Sequence, residues 1–215
     1  MSAARTDSQQ PATSVTQGRS PDPTRRNAAT RRAILDAALD LIVASGFEML
    51  TVEAIARRAG VGKQTIYRWW PSKGAVLLEA FLEHRVEERT ETPLLGLLNR
   101  GDFAADVRRV LRGTVRAFAN TSWEAPYRAL TIAIQEDPQL GAEARERLIR
   151  PSLDDVRAWL ATAQEHGDVR ADIDLDVAVE LLVGPVFHRW LLRTGPLSDE
   201  YADAVTDAVV HALRT

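Results

Sequence analysis

Residues Thr51–Trp70, TVEAIARRAGVGKQTIYRWW, decide how the chain is read. Thr51 is a residue type whose hydroxyl caps a helix, and behind it Val52, Ile55, Ala56 and Ala59 recur on one helical face. Gly60 breaks that short helix. The next runs from about Gly62 to Trp70, with Ile66 and Trp70 four apart on its inner side. Two helices crossing steeply within a tight turn need a small residue where they meet, a turn residue tolerant of a left-handed backbone, and apolar contacts between them. Ala56, then Gly60 four positions on, with Ile55, Val61, Ile66 and Trp69 or Trp70, meet those needs in one register. Each feature alone is common; together they specify a helix-turn-helix.

Working outward, Ile34, Ala37, Ala38, Leu41 and Ile42 form the apolar stripe of a preceding helix that Gly46 stops. Pro71 ends the helix at Trp70, and Ser72 caps a following one that contains Val76, Leu77, Ala80 and Phe81. Helical periodicity continues near 102–120, 122–136, 139–166, 174–194 and 198–213. Breaks fall at Thr92–Pro93, Asp137–Pro138, Gly167–Asp168 and Gly195–Pro196, and Pro151 is expected to kink or split the 139–166 segment. No stretch alternates with a two-residue period between hairpin turns, so the fold expected is all-α. Residues 1–26, rich in Ser, Thr, Gln and Pro, have too little apolar content to repay ordering and are expected to be a disordered tail. Residues 27–73 then form the helix-turn-helix domain and 74–215 a larger helical domain.

With 45 % apolar and 27 % charged residues, the 215-residue chain is balanced like an ordinary globular protein. Cysteine is absent, which excludes disulfides and thiolate metal sites. The longest apolar run, Leu181–Phe187, is far short of the ~20 residues a membrane span needs, and no apolar signal core opens the chain. A soluble, cytoplasmic protein without membrane partners is expected. The net charge of −3 hides a division: residues 1–75 carry 11 basic and 6 acidic side chains, and residues 76–215 carry 16 and 24. A positive front and a negative back imply two modules with different partners.

In a helix-turn-helix the second helix enters the major groove. With Ile66 inward, Gln64 and Arg68 point away from the core and Thr65 and Tyr67 flank them. Gln64 can pair with adenine and Arg68 with guanine, each contact discriminating by roughly 1–3 kcal/mol. Lys63 at the helix start, Thr65, Tyr67 and Lys73 suit phosphate, which fixes register without carrying sequence information. Arg31, Arg32, Arg57 and Arg58 divide evenly between phosphate contact and plain solubility.

Asn27–Arg85 resembles the DNA-binding domain of TetR-type (TetR/AcrR) bacterial transcriptional regulators. The likeness rests on RRAILDAALDLIVASGFEMLTVEAIARRAGVGKQTIYRWWPSKGAVLLEAF, and most specifically on "TVEAIARRAGV", "TIY" and Lys73 three residues past Trp70. The segment DVRADIDLDVAVELLVGPVFHRWLL is similar to one C-terminal subgroup. The resemblance implies a homodimer reading a palindromic operator, and a C-terminal ligand pocket whose occupancy weakens DNA binding. It places Lys63, Thr65, Tyr67, Trp69 and Lys73, with Gln64 among them, at positions that commonly touch DNA; Thr51 joins them as a candidate. Position 69 is more often His, Tyr or Arg in the family, so Trp69 either packs inward or lies against the backbone.

The back half offers candidates rather than a motif. Trp123, Tyr127, Trp159, Phe187, His188 and Trp190, each suited to core or interface, could as a set line a pocket between helices, and His84, Trp123, Tyr127 and His188 are the candidate ligand-binding residues. Leu182, Val186, Trp190, Val205 and Val209 make apolar stripes on the last two long helices and are candidates for a dimer interface, the other reading being subunit core. Gly60–Thr65, GVGKQT, lacks the leading glycine of a phosphate loop, and Asp172, Asp174 and Asp176 lack the glycine and glutamate of a calcium loop. His84, His166, His188 and His211 are scattered, without metal-ligand or catalytic spacing. No catalytic residue, metal or cofactor is expected. The function expected is a ligand-responsive repressor that binds double-stranded operator DNA as a homodimer. The alternatives are a DNA-binding dimer without an effector and an all-α enzyme.

Overall fold

Capping chemistry sets the boundaries of the front helices. In the computed structural model, which describes residues 23–87 and 101–214, no strand occurs among those residues. Helix α1, Pro23–Ser45, starts inside the stretch expected to be a disordered tail, because proline is well suited to a first helical turn, where its missing N–H is not needed. Residues 1–22 and the expected break at Thr92–Pro93 lie outside the described residues. Helix α2, Val52–Ala59, is capped by Thr51, whose hydroxyl accepts from the Ala54 amide at 3.0 Å. Gly60 closes it at φ 68°, and the Val61 amide donates to the Ala56 carbonyl at 2.9 Å. That backbone conformation strains any side chain, so the glycine is the turn's structural requirement.

Helix α3, Lys63–Tyr67, is shorter than the expected Gly62–Trp70. Its end tightens: the Trp69 and Trp70 amides both donate to the Ile66 carbonyl, at 2.9 and 3.0 Å, and Pro71 bars continuation. Helix α4, Lys73–Glu87, follows, with the Ser72 hydroxyl accepting from the Ala75 amide at 3.2 Å. Ile34, Ile42, Leu50, Ile55, Ile66, Trp70, Leu77 and Phe81 make the first core. Each such side chain contributes about 1.5–3 kcal/mol when fully buried.

That core does not stop at residue 73. It takes in Ala129, Leu130 and Ala133 of α6, Thr121–Glu136, and Leu140 and Ala144 of α7, Pro138–Ala144. A Cβ on Gly141 would lie 2.9 Å from the Ile134 carbonyl oxygen, so glycine lets α7 close on the end of α6. Beyond α7 the helix widens into one π turn, Arg145–Ile149, in which the Arg150 amide donates to the Arg145 carbonyl, before α8, Arg150–Glu165. This is how Pro151 is absorbed: the wider turn replaces the α-type ladder just before the proline, and the helix continues instead of breaking.

A second core joins α8 to α5, Phe103–Ala119, α9, Leu175–Leu192, and α10, Asp199–Arg214. Along its edge Arg112 grips Asp203 through two hydrogen bonds of 2.8 and 2.6 Å, while Arg116 pairs with Asp199 at 2.6 Å and Arg108 with Asp207 at 2.8 Å. These pairs, part-buried at Arg112–Asp203 and exposed at the other two, lie between α5 and α10, and the exposed ones add little stability individually.

The five residues expected at a dimer interface are not on the surface. Leu182, Val186, Trp190, Val205 and Val209 are all buried inside the subunit, at 8 % exposure or less. For the three on α9 the periodicity is ambiguous because apolar residues fall on both sides: Val177, Leu181, Leu191 and Leu192 of the same helix are 40–59 % exposed, while Val205 and Val209 form the inner stripe of α10. No described helix is long and apolar enough to cross a membrane.

Candidate functional site

Ile66 is the one fully buried side chain of α3, and it fixes what the rest of that helix presents. Lys63, Gln64, Tyr67 and Arg68 are exposed and Thr65 is half-buried, so the face expected to read bases is turned to solvent. Lys63 Nζ lies 2.9 Å from Glu53 of α2, which raises the ammonium above its ordinary pKa and holds the carboxyl below the usual carboxylate range. A phosphate would have to share or displace that partner.

Trp69 packs partly inward, against the first core. It is half-buried and meets Trp70 edge-on at 5.5 Å, while the Arg68 guanidinium lies 5.2 Å from its ring centre. The indole therefore supports Arg68 from beneath. Lys73 is half-buried, its Nζ 4.2 Å over the Phe47 ring and 3.5 Å from the Phe47 carbonyl, so the first residue of α4 is pinned to the turn after α1. Thr51 is exposed but its hydroxyl is engaged as the α2 cap.

The neighbouring arginines divide on inspection. Arg58 pairs with Asp40 at 2.7 Å and Arg32 with Asp36 at 2.8 Å. Arg31 pairs with Glu79 and Glu83, both on α4. Glu79 also accepts from Arg147 of the π turn at 2.8 Å. Arg31 thus ties α1 to α4, and through Glu79 to the back half, instead of reaching outward.

Behind α4 lies a cavity of about 330 Å³ between α4, α5, α6, the π turn, α8 and α9. It falls within the range of small-molecule sites, roughly 300–1,000 Å³. Of the candidate ligand-binding residues, Trp123 and Tyr127 line it. His188 does not: it is exposed, and Phe187, one residue earlier on the helix, faces the cavity instead. His84 is half-buried and off the wall, and its neighbour Arg85 is on it. Sequence reasoning missed Arg85 and Phe118; the available signal was an arginine closing the apolar run AVLLEAFLEHR of α4. Among the described residues, no group of three or more His, Asp or Glu side chains could hold a metal ion.

Comparison with known proteins agrees with both halves. The family model described as "Bacterial regulatory proteins, tetR family" matches residues 34–80, and that described as "Tetracyclin repressor-like, C-terminal domain" matches 98–209. An uncharacterized HTH-type transcriptional regulator of Bacillus subtilis (strain 168), YdeS, is 35 % identical over 190 residues, covering 88 % of this chain and 90 % of that protein. The DNA-binding transcriptional repressor TetR of Mycobacteroides abscessus is 26 % identical over 181 residues, 84 % of this chain and 92 % of its own. Among solved structures, the TetR family transcription regulator SCO0332 superposes with a TM-score of 0.66 at 32 % identity, covering 86 % of this chain and 98 % of that one. By these matches and by its helix-turn-helix, the chain belongs to the tetR family of bacterial regulatory proteins, and is a helix-turn-helix transcriptional regulator.

Proposed function

We propose that the protein is a cytoplasmic homodimeric repressor that reads a palindromic operator with α3 and releases it when a small molecule fills the cavity behind α4. The observation that carries this reading is the outward face of α3: Ile66 is sealed in the core while Gln64 and Arg68 stand in solvent at major-groove reach. Lys63, Thr65, Tyr67 and Lys73 supply the phosphate contacts around them, with Thr51 at the head of α2 beside them.

Dimerisation is supported by α9. The outer side of α9 carries Val177, Leu181 and Leu191, left 48 %, 40 % and 43 % exposed by the subunit alone, among the exposed Asp176, Glu180 and His188. A twofold pairing of this face would satisfy it with a second copy of itself. The two copies of α3 would then need to sit about 34–36 Å apart to enter successive major grooves.

Effector control is supported by the route between the sites. Helix α4 begins at Lys73 beside the DNA-facing elements and reaches the cavity with Phe81 and Arg85. A ligand alters DNA affinity only by as much as its own affinity differs between dimer arrangements. A backbone able to change the separation of the α3 helices by bending at α4 supplies such arrangements.

The test is binding to DNA upstream of the protein's own gene, followed by footprinting. Affinity should fall steeply with salt as phosphate contacts release counterions. Arg68→Ala and Gln64→Ala should each relax preference at particular base pairs, and Lys73→Ala should weaken all sequences alike. A flat salt response, or Lys73→Ala changing base preference while Arg68→Ala does not, would reverse these assignments.

A further inference from the structure

The polar groups on the cavity wall are few and engaged. Arg85 carries the one charge among the described lining residues, and the aliphatic hydroxyls are those of Thr114 and Ser152. Thr114 donates to the Val110 carbonyl and Ser152 to the Leu148 carbonyl, each at 2.9 Å along its own helix. Arg85 Nη2 lies 3.5 Å from Ser152 Oγ, Asp155 favours its charge, and neither Arg85 nor Ser152 is free. Burial raises the Tyr127 phenol above its ordinary pKa and keeps it uncharged. A charged ligand entering this chamber would lose its hydration and have to compete with partners already in place. A neutral ligand meets neither cost.

The rest of the wall sets shape and size. Trp123 and Tyr127 stack with ring centres 4.8 Å apart, Phe118 meets Trp123 edge-on at 5.0 Å, and Phe81 stands 5.7 Å from Tyr127. These rings form one continuous wall, and a further flat ring gains from aromatic faces and edges beyond the area it buries. A cavity of about 150 Å³ suffices for one benzene, and this one, at about 330 Å³, has room for roughly twice that. Ile149 and Leu153 line the cavity and are also 36 % and 37 % exposed, so the approach past them is apolar as well.

We propose that the cavity takes an uncharged, flat aromatic compound of two or three rings, stacked against Phe118, Trp123 and Tyr127. This rests on the reading of the cavity as the effector site and narrows it. Charged, saturated and larger relatives of the same compound are selected against, the first by desolvation, the second by loss of ring contacts, the third by volume.

The experiment is calorimetry of the full-length protein at neutral pH with a graded set of uncharged probes: phenol, naphthol, phenanthrol and pyrenol, which carry one, two, three and four fused rings. Naphthol and phenanthrol should bind about tenfold or more tightly than phenol. Pyrenol should bind more weakly than phenanthrol, although it is the more apolar, because it overfills the space. Naphthalene sulfonate should bind about tenfold or more weakly than naphthol, and the saturated decahydronaphthol about threefold or more weakly. Binding of the sulfonate as tight as that of naphthol overturns the proposal. So does equal binding of the saturated alcohol, a steady rise in affinity through pyrenol, or no binding by any member of the set. Those comparisons need only the wild type. In addition, Ala117→Trp, which enlarges a wall residue into the space, should abolish naphthol binding; unchanged binding would place the rings elsewhere and overturn the proposal too. The effector reading fails separately: probes that bind in the expected order yet leave DNA affinity unchanged would count against that reading alone.

Discussion

Helices α3 and α9 solve the burial problem in opposite ways. Helix α3 commits one side chain, Ile66, to the interior and gives the rest of its five residues to water or to partial cover. Helix α9 buries Leu182, Val186 and Trp190 on one side and leaves Val177, Leu181 and Leu191 on another. The first is held in place by a neighbour so that it can offer polar groups. The second offers more of what a core is made from. One surface is therefore suited to a partner that hydrogen-bonds, such as a nucleic acid, and the other to a partner that removes apolar area from water, such as a second copy of the chain.

Three perturbations test that contrast. The largest effect is expected from Ile66→Ala. Five residues cannot persist as a helix by propensity alone, and truncating a buried isoleucine costs about 2–5 kcal/mol. DNA binding should be lost, while oligomeric state by light scattering and probe binding in the cavity remain. Collapse of both halves together would show that they are one cooperative unit and not two contrasted surfaces. Next, Leu181→Asp should weaken self-association by about tenfold or more, read by sedimentation, with little change in monomer stability because the side chain is not in the core. If self-association is untouched, the outer side of α9 is not where the copies meet. The smallest effect is expected from Glu53→Gln. It frees Lys63 from its carboxylate and removes a negative charge beside the proposed phosphate contacts, so DNA affinity should rise roughly twofold at low salt and converge with wild type as salt screens the difference.

The front was legible because its rules are local. Thr51 as cap, Gly60 as left-handed turn and Ile66 as anchor are each decided within a few residues of chain, and the structure places them in those roles. The back was only partly legible. On α9 the outer side mixes Asp176, Glu180 and His188 with Val177, Leu181 and Leu191, so its periodicity separates inside from outside poorly, and Leu182 and Val186, candidates for an interface, lie in the subunit core. The cavity draws its wall from six elements, so its charged member depends on packing angles: Arg85, not His84 or His188, stands on it. Pro151 correctly marked an irregularity, but a proline rule alone does not say whether a helix breaks or widens.

That widening has a consequence of its own. The turn Arg145–Ile149 sends Arg147 to Glu79 on α4 and puts Leu148 and Ile149 into the cavity wall. A π turn holds an extra residue relative to the α-helical winding around it. Were it to tighten, the chain on one side would swivel by about 100° against the other, the angle one residue occupies on a helix. Arg147 would leave Glu79 in the same movement that withdrew Leu148 from the wall. A single rewinding of the backbone would thus move a grip on the helix-turn-helix side and a lining of the chamber together.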